Sequence, residues 1–165
     1  MSHLTPPSPC SRRQWLARQA AWMATAGVTP SLWAETDPTG GDPLGSMQWP
    51  LIRDAYMGKG SRYGYSKDVV VKGPPFAEDA MAVPMMIDAR ALLAQGIAIE
   101  RIEVAADRNP IPHVLTFYPE RALPVLAFRF RMEQGSPVRA MVHTRDGRWL
   151  VGHTWVDAAG GGCTV

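Results

Sequence analysis

The sequence closes on Trp155-Val156-Asp157-Ala158-Ala159-Gly160-Gly161-Gly162-Cys163-Thr164-Val165, and this ending carries the clearest chemistry in the chain. A thiol is nucleophilic as its thiolate and readily oxidised, so it can hold a covalent adduct. Three consecutive glycines bring no side chains to pack and high backbone entropy. Gly160, Gly161 and Gly162 therefore read as a compliant arm with Cys163 at its tip. Seven residues separate Val156 from Cys163. At about 3.3–3.6 Å per extended residue the sulfur reaches roughly 25 Å from the last strand, enough to enter another protein's pocket. A thiol with the ordinary pKa of about 8.5 is mostly protonated near neutral pH, and no Lys, Arg or His adjoins Cys163. Activation is then expected from a partner's active site. The competing reading is a disordered tail with an incidental cysteine; the position behind three glycines favours a carrier.

Other constellations offer less. His113, His143 and His153 with Cys163 are ligand types for copper or zinc. A blue-copper loop brings Cys, His and Met together in sequence, however, and no His or Met follows Cys163. No metal and no cofactor is expected. His153 lies on one strand face with Trp149, Val151 and Trp155, and reads as a core-edge or surface residue. His143 alternates with core-facing Val142. Arg129, Arg131 and Arg139 read as a ladder on neighbouring strands at a protein interface, with Met141 on the same face. Met81, Met85 and Met86 read as core filler and contact surface. Asp107 and Asn109, before Pro110, suit turn hydrogen bonding better than acid–base work. No Ser/His/Asp order, phosphate loop or glycosidase-like carboxylate pair is present, so a carrier without its own active site is expected rather than an enzyme.

The elements that must position the arm show a period of two. Ile102, Val104 and Ala106 alternate with Arg101, Glu103 and Ala105; Leu126, Phe128, Phe130 and Met132 alternate with Ala127, Arg129 and Arg131. One face packs while the other is solvated. Val138, Ala140 and Val142 repeat the pattern, and Asp146-Gly147 suits a tight turn, giving a hairpin from Val138 to Val156. With strands at Asp68 to Lys72, Ala82 to Asp88 and Val114 to Tyr118 there are about seven, which predicts an all-β, antiparallel sandwich. Helices are expected at Asp88 to Gln95, stopped by Gly96, and at Met47 to Met57, interrupted early by Pro50. Gly58 to Ser66 reads as loop.

The N-terminus reads as an address. Arg12-Arg13-Gln14-Trp15-Leu16 precedes a weakly apolar, alanine-rich stretch to Val28, with a processing site expected after Ala34. This resembles a twin-arginine export signal and implies a periplasmic destination. Residues 1–34 are then leader, 35–48 an Asp/Gly/Pro/Thr linker, 49–159 the sandwich and 160–165 the arm. Cys10 would leave with the leader, and Cys163, the other of the chain's two cysteines, would remain. The 165 residues carry 17 basic and 15 acidic side chains; three arginines and no acid precede Ala34, so the remainder has a net charge of −1. That balance gives no electrostatic footprint for nucleic acid or anionic lipid. No apolar run approaches the roughly 18 residues of a membrane-spanning helix.

Val83-Pro84 after Ala77-Glu78-Asp79-Ala80, Asp107-Arg108-Asn109-Pro110, Phe128-Arg129-Phe130-Arg131, Val138-Arg139-Ala140 and Asp146-Gly147, in this order and ending in Gly-Gly-Cys, resemble SoxY over roughly Asp68 to Cys163. SoxY is the periplasmic sulfur-carrier subunit of the bacterial thiosulfate-oxidising Sox system. The ending Trp155 to Thr164 is also similar to the SoxYZ-like carriers associated with quinoprotein dehydrogenases. The resemblance implies an immunoglobulin-like sandwich, a SoxZ-like subunit or domain as partner, and a cysteine, by position Cys163, that holds sulfur intermediates covalently. It further implies periplasmic sulfur-oxidising enzymes and c-type cytochromes, or a quinoprotein dehydrogenase, as partners. Standard SoxY ends Gly-Gly-Cys-Gly-Gly; here Thr164 and Val165 follow Cys163, making a stiffer C-terminal side. The SoxZ-like half is expected either as a separate polypeptide or beyond Val165. The alternative function is a non-catalytic adaptor of a periplasmic quinoprotein dehydrogenase, which needs no thiol chemistry.

Overall fold

The computed structural model describes residues 41–159. The leader and carrier arm expected over 1–34 and 160–165 lie outside the described residues. Within them the elements run α1 (Trp49–Met57), β1 (Tyr63–Tyr65), β2 (Val70–Lys72), β3 (Phe76–Ala77), β4 (Val83–Asp88), α2 (Arg90–Ala94), β5 (Ile99–Ala106), β6 (His113–Phe117), β7 (Val125–Phe130), β8 (Ser136–Thr144) and β9 (Trp149–Ala158). The seven strands expected from periodicity are all present. Two short strands, β1 and β3, join them.

One sheet has the order β1-β9-β8-β5-β6, with β3 also paired to β9; the other is β2-β4-β7. The β9-β8-β5-β6 and β2-β4-β7 pairings are antiparallel, as a sandwich of hairpins requires. β1 and β3 add to β9 in parallel, so the antiparallel description needs this amendment. Gly58 to Ser66 shows no period because its strand has three residues, too few to register one. Pro50 does not interrupt α1. It sits in the first turn, where a missing N–H leaves no helix bond unmade.

Between the sheets lie Val83, Met85 and Ile87 of β4, Ile102 and Val104 of β5, and Val138, Ala140 and Val142 of β8. Each large side chain buried there contributes about 1.5–3 kcal/mol. A second apolar cluster packs on the opposite face of the larger sheet: Trp49, Ile52 and Met57 of α1 meet Ala105, Met141, Trp149 and Val151. The central strands of this sheet are thus covered twice. Two expectations change as a result. Met141 is fully buried rather than at an interface, and so is Arg139. Arg129 and Arg131 are exposed and belong to the chain around β7 in the other sheet, so the three arginines form no ladder. Alternation identifies the two faces of a strand; it does not show whether a helix covers the second.

Candidate functional site

The arm root is the end of β9. On one side β9 pairs with β8, Ser136 opposite Val156 and Pro137 opposite Trp155. On its other side it pairs with β3, Phe76 opposite Asp157 and Ala77 opposite Ala158. The Asp157 N–H donates to the Pro75 carbonyl at 3.0 Å, and the Ala159 N–H to that of Ala77 at 3.3 Å. Backbone pairing therefore holds this strand to the residue before the first of the three glycines. Its earlier outer edge is covered by β1, and on its face the chain crosses Gly152 so closely that a Cβ there would lie 1.9 Å from the Val69 carbonyl oxygen. Only a glycine fits that approach.

Three side chains ring the root. Trp155 is half-buried, and its indole N–H donates to Asp157 Oδ1 at 2.9 Å. The Asp157 carboxylate lies over Gly135, where a Cβ would approach it to 2.5 Å. The exposed Arg108 guanidinium stands 4.8 Å from the Trp155 ring centroid. Two hydrogen bonds fix the backbone of Arg108: its N–H donates to Ser136 Oγ at 3.0 Å, and its carbonyl accepts from Gln134 Nε2 at 3.0 Å. Phe76 of β3 is 55% exposed beside them, an apolar contact surface at the root.

Beneath α1 lies a buried polar cluster. Arg139 donates through Nε and NH2 to both oxygens of Asp107, at 2.8–3.0 Å, and through NH1 and NH2 to both oxygens of Asp42, at 2.7 and 2.8 Å. Its guanidinium stands 4.3 Å from the Trp49 ring centroid, and all three charged side chains are fully buried. Tyr65 also donates its hydroxyl to Asp42 Oδ1 at 2.9 Å. Burial opposes ionisation of Asp42, but the bonds from Arg139 and the Ser46 N–H, the arginine's charge and the Tyr65 hydroxyl outweigh it and hold its pKa below the usual carboxylate range. Burial and the hydrogen bond to Asp42 push the Tyr65 phenol well above its ordinary range. Asp107 is thus a buried partner of Arg139 as well as a neighbour of a turn. Asn109 closes a local turn through its backbone N–H, which donates to the Ala106 carbonyl at 3.2 Å, but its side chain is not spent on the turn: it reaches a distant segment, donating to the Arg131 carbonyl at 2.9 Å and accepting from the Glu133 N–H at 3.2 Å. Asp42 and Ser46, in the stretch read as linker, are both buried.

The three histidines stay apart. His113 stacks on Tyr56 and lies 3.5 Å from Glu103, whereas His143 packs at a tilt against Trp149 and meets Glu100 at 2.8 Å. His153 packs edge-on against Tyr65 and has a buried Nδ1 with no hydrogen-bond partner. Burial, and then the charge of Arg139, lower its pKa. No group of three or more His, Cys, Asp or Glu suited to a metal occurs among the described residues. Met85 is core, Met86 half-buried and Met81 exposed, the mixture of filler and surface expected of them. The Arg108–Trp155 and Arg139–Asp42 contacts are absent from the sequence reading, because their partners lie 47 and 97 residues apart. No local pattern joins them.

A family model described as "Sulfur oxidation protein SoxY" matches residues 53–163. The structure of the sulfur carrier protein SoxY from Chlorobium limicola f thiosulfatophilum aligns with a TM-score of 0.57 at 20% identity, over 67% of this chain and 90% of that one. A putative superoxide reductase from Thermotoga maritima aligns with a TM-score of 0.49 at 10% identity, over 59% of this chain and 94% of that one. No curated protein matches the sequence.

Proposed function

The chain belongs to the SoxY family of sulfur oxidation proteins, and from that membership we propose that it is a non-enzymatic carrier holding sulfur intermediates on Cys163. The observation that carries this reading is the root of the arm: a strand paired to β8 as far as Val156 and on its other side as far as Ala159, followed in sequence by three glycines and the thiol. The family match also runs to residue 163, the cysteine itself. A rigid base with a compliant tip is what presentation to several enzymes needs, since the adduct must enter pockets while the domain stays folded.

Loading is an oxidation. The Cys163 thiol loses its proton, its sulfur bonds to the outer sulfur of thiosulfate, and two electrons leave to an acceptor such as a c-type cytochrome. Hydrolysis of the terminal sulfonate by a partner then releases sulfate and leaves a persulfide on Cys163. Gly160, Gly161 and Gly162 supply the reach, and a SoxZ-like subunit or domain pairs with the sandwich. The Arg12-Arg13 leader directs the chain to the periplasm by the twin-arginine route. The Trp155 to Thr164 ending supports the SoxYZ-like branch associated with quinoprotein dehydrogenases.

Intact mass after incubation with thiosulfate and a partner oxidase tests the reading. The expected result is a covalent sulfur adduct on the wild type and none on Cys163→Ser. An unmodified wild type, or equal adducts on both, sinks it. If Cys163→Ala instead retains function and binds a periplasmic dehydrogenase directly, the adaptor role replaces the carrier.

A further inference from the structure

The two flanks of the sandwich are finished differently. On one, β1 and β3 cover the edge of β9, and the chain passes from β1 to β2 against Gly152. On the other, the larger sheet ends at β6 and the smaller at β7, and no strand among the described residues pairs with the outer side of either. A row of unpaired backbone donors and acceptors is a template for one more strand.

The open atoms of β7 follow from its pairing with β4. In an antiparallel pair both backbone groups of a residue point to the same side, and the side alternates along the strand. Met132, of the same parity as Phe128 and Phe130, gives its N–H to the Ala80 carbonyl on the β4 side at 2.8 Å. Pro84 stands opposite Arg129 and has no N–H to give it. The N–H and C=O of Ala127 and Arg129 therefore face away from β4. The Arg131 carbonyl, of their parity, turns outward as well and there accepts from Asn109 Nδ2 at 2.9 Å.

The side chains alternate in step. Ala127 and Arg129 are exposed on the outer face, whereas Leu126, Phe128 and Phe130 are partly buried against the core. A groove of about 360 Å³ between β6 and β7 is lined by Pro110, Ile111, Val114 and Phe130, and Ile111 is 75% exposed. Arg129 makes no ion pair among the described residues, and the exposed Arg131 meets Glu133 only at 3.7 Å. This flank thus combines a cationic outer row, an open backbone edge and an apolar groove.

We infer that the outer edge of β7 takes an extended segment of another polypeptide, about as long as the six residues of β7, whose side chains alternate between acidic and apolar. Its backbone pairs with that of Ala127 and Arg129. Its acidic side chains share the outer face with Arg129 and Arg131, and its apolar ones turn inward over Phe128 and Phe130 to the groove. The chain completes its other flank by the same device, since β1 and β3 are segments of three and two residues added to the edge of β9. A second copy fits less well: pairing β7 to β7 gathers Arg129 and Arg131 of both chains on one face, and β7 has no acid to offset them. The inference concerns a sheet edge and stands apart from the thiol chemistry.

The test titrates a short, end-blocked peptide of alternating valine and glutamate into the full chain. The amide resonances of Ala127 and Arg129 are expected to shift saturably and their protons to exchange more slowly. The peptide is also made N-methylated on its valines and, separately, on its glutamates; only one of these should still bind, because an edge strand offers its neighbour the N–H groups of alternate residues. Ala127→Pro removes an outward N–H, which an edge strand tolerates, and should abolish the shifts without moving the urea midpoint. If that variant does not fold, Arg129→Glu carries the test: it should weaken the glutamate peptide about fivefold and favour a peptide with lysine in place of glutamate. Unmoved Ala127 and Arg129 amides in excess peptide, or equal binding of the two methylated forms, overturns the inference. A dimer that protects these amides without peptide overturns it in favour of a second copy.

Discussion

Two arginines in this protein stand over tryptophan rings at nearly the same distance, Arg139 over Trp49 at 4.3 Å and Arg108 over Trp155 at 4.8 Å, yet they do opposite things. Arg139 is sealed under α1, and its fork is occupied by Asp42 and Asp107. Arg108 is exposed at the end of β9 with no carboxylate partner among the described residues. Charge buried away from water must be neutralised and hydrogen-bonded or it unfolds its surroundings, whereas charge at the surface can stay open. The difference is thus one of burial rather than residue type. The buried pair ties Asp42 to the sheet from 97 residues away, and the exposed pair leaves a cation where the arm begins.

The largest effect that would sharpen this contrast comes from Arg139→Met. It strands two buried carboxylates, and breaking a buried ion pair by removing one partner costs about 3–5 kcal/mol. Urea denaturation should show that loss. If the variant does not fold, Asp42→Asn reads the same contact more gently, because Arg139 keeps its three bonds to Asp107. The expected loss is about 2 kcal/mol, that of a charge-assisted hydrogen bond. A change below about 0.5 kcal/mol in Asp42→Asn would mean that the cluster does not hold the N-terminal segment and that the contrast with Arg108 is empty.

These two regions also show what the sequence could disclose. β7 was legible because alternation and burial coincide: Leu126, Phe128 and Phe130 are partly buried, while Ala127 and Arg129 are exposed. The Asp146-Gly147 turn was legible because Gly147 adopts φ +84°, a region that glycine enters freely. β8 was only half legible. Val138, Ala140 and Val142 announce the core face, but the arginine at 139 reads as a solvated position unless α1 is known to cover it. The cysteine and its glycines stand out by composition alone, without any fold. Arg108 does not, since an arginine next to an Asn-Pro turn is ordinary until the return of β9 brings Trp155 beneath it.

Acid should break the buried region in two stages. His153 has a folded pKa lowered below its usual 6.5. Between that lowered value and 6.5 the unfolded chain binds more protons, so stability is fully present above about 6.5 and declines as the pH falls. Asp42 follows the same sign lower down: its folded pKa is below the ordinary 3.8, so its contribution is present above that value and is lost as the pH falls through the folded pKa. A urea midpoint measured against pH should fall first below about 6.5 and again below about 4. His153→Phe should flatten the first decline and leave the second; if both declines survive it unchanged, His153 is not the source.

The smallest effect is expected at the exposed pair. Arg108→Ala removes one surface cation–π contact and one long hydrogen bond to a carbonyl. A contact of that kind at an exposed site is worth about 0.5–1 kcal/mol, and water replaces the guanidinium without leaving a buried group unpartnered. The urea midpoint should therefore move little, several-fold less than for Arg139→Met. That near-neutrality is what separates the exposed pair from the buried one. A loss approaching that of Arg139→Met would show instead that the Arg108 side chain braces the start of β8 through the Gly135 carbonyl, and the two arginine–tryptophan pairs would then both be structural.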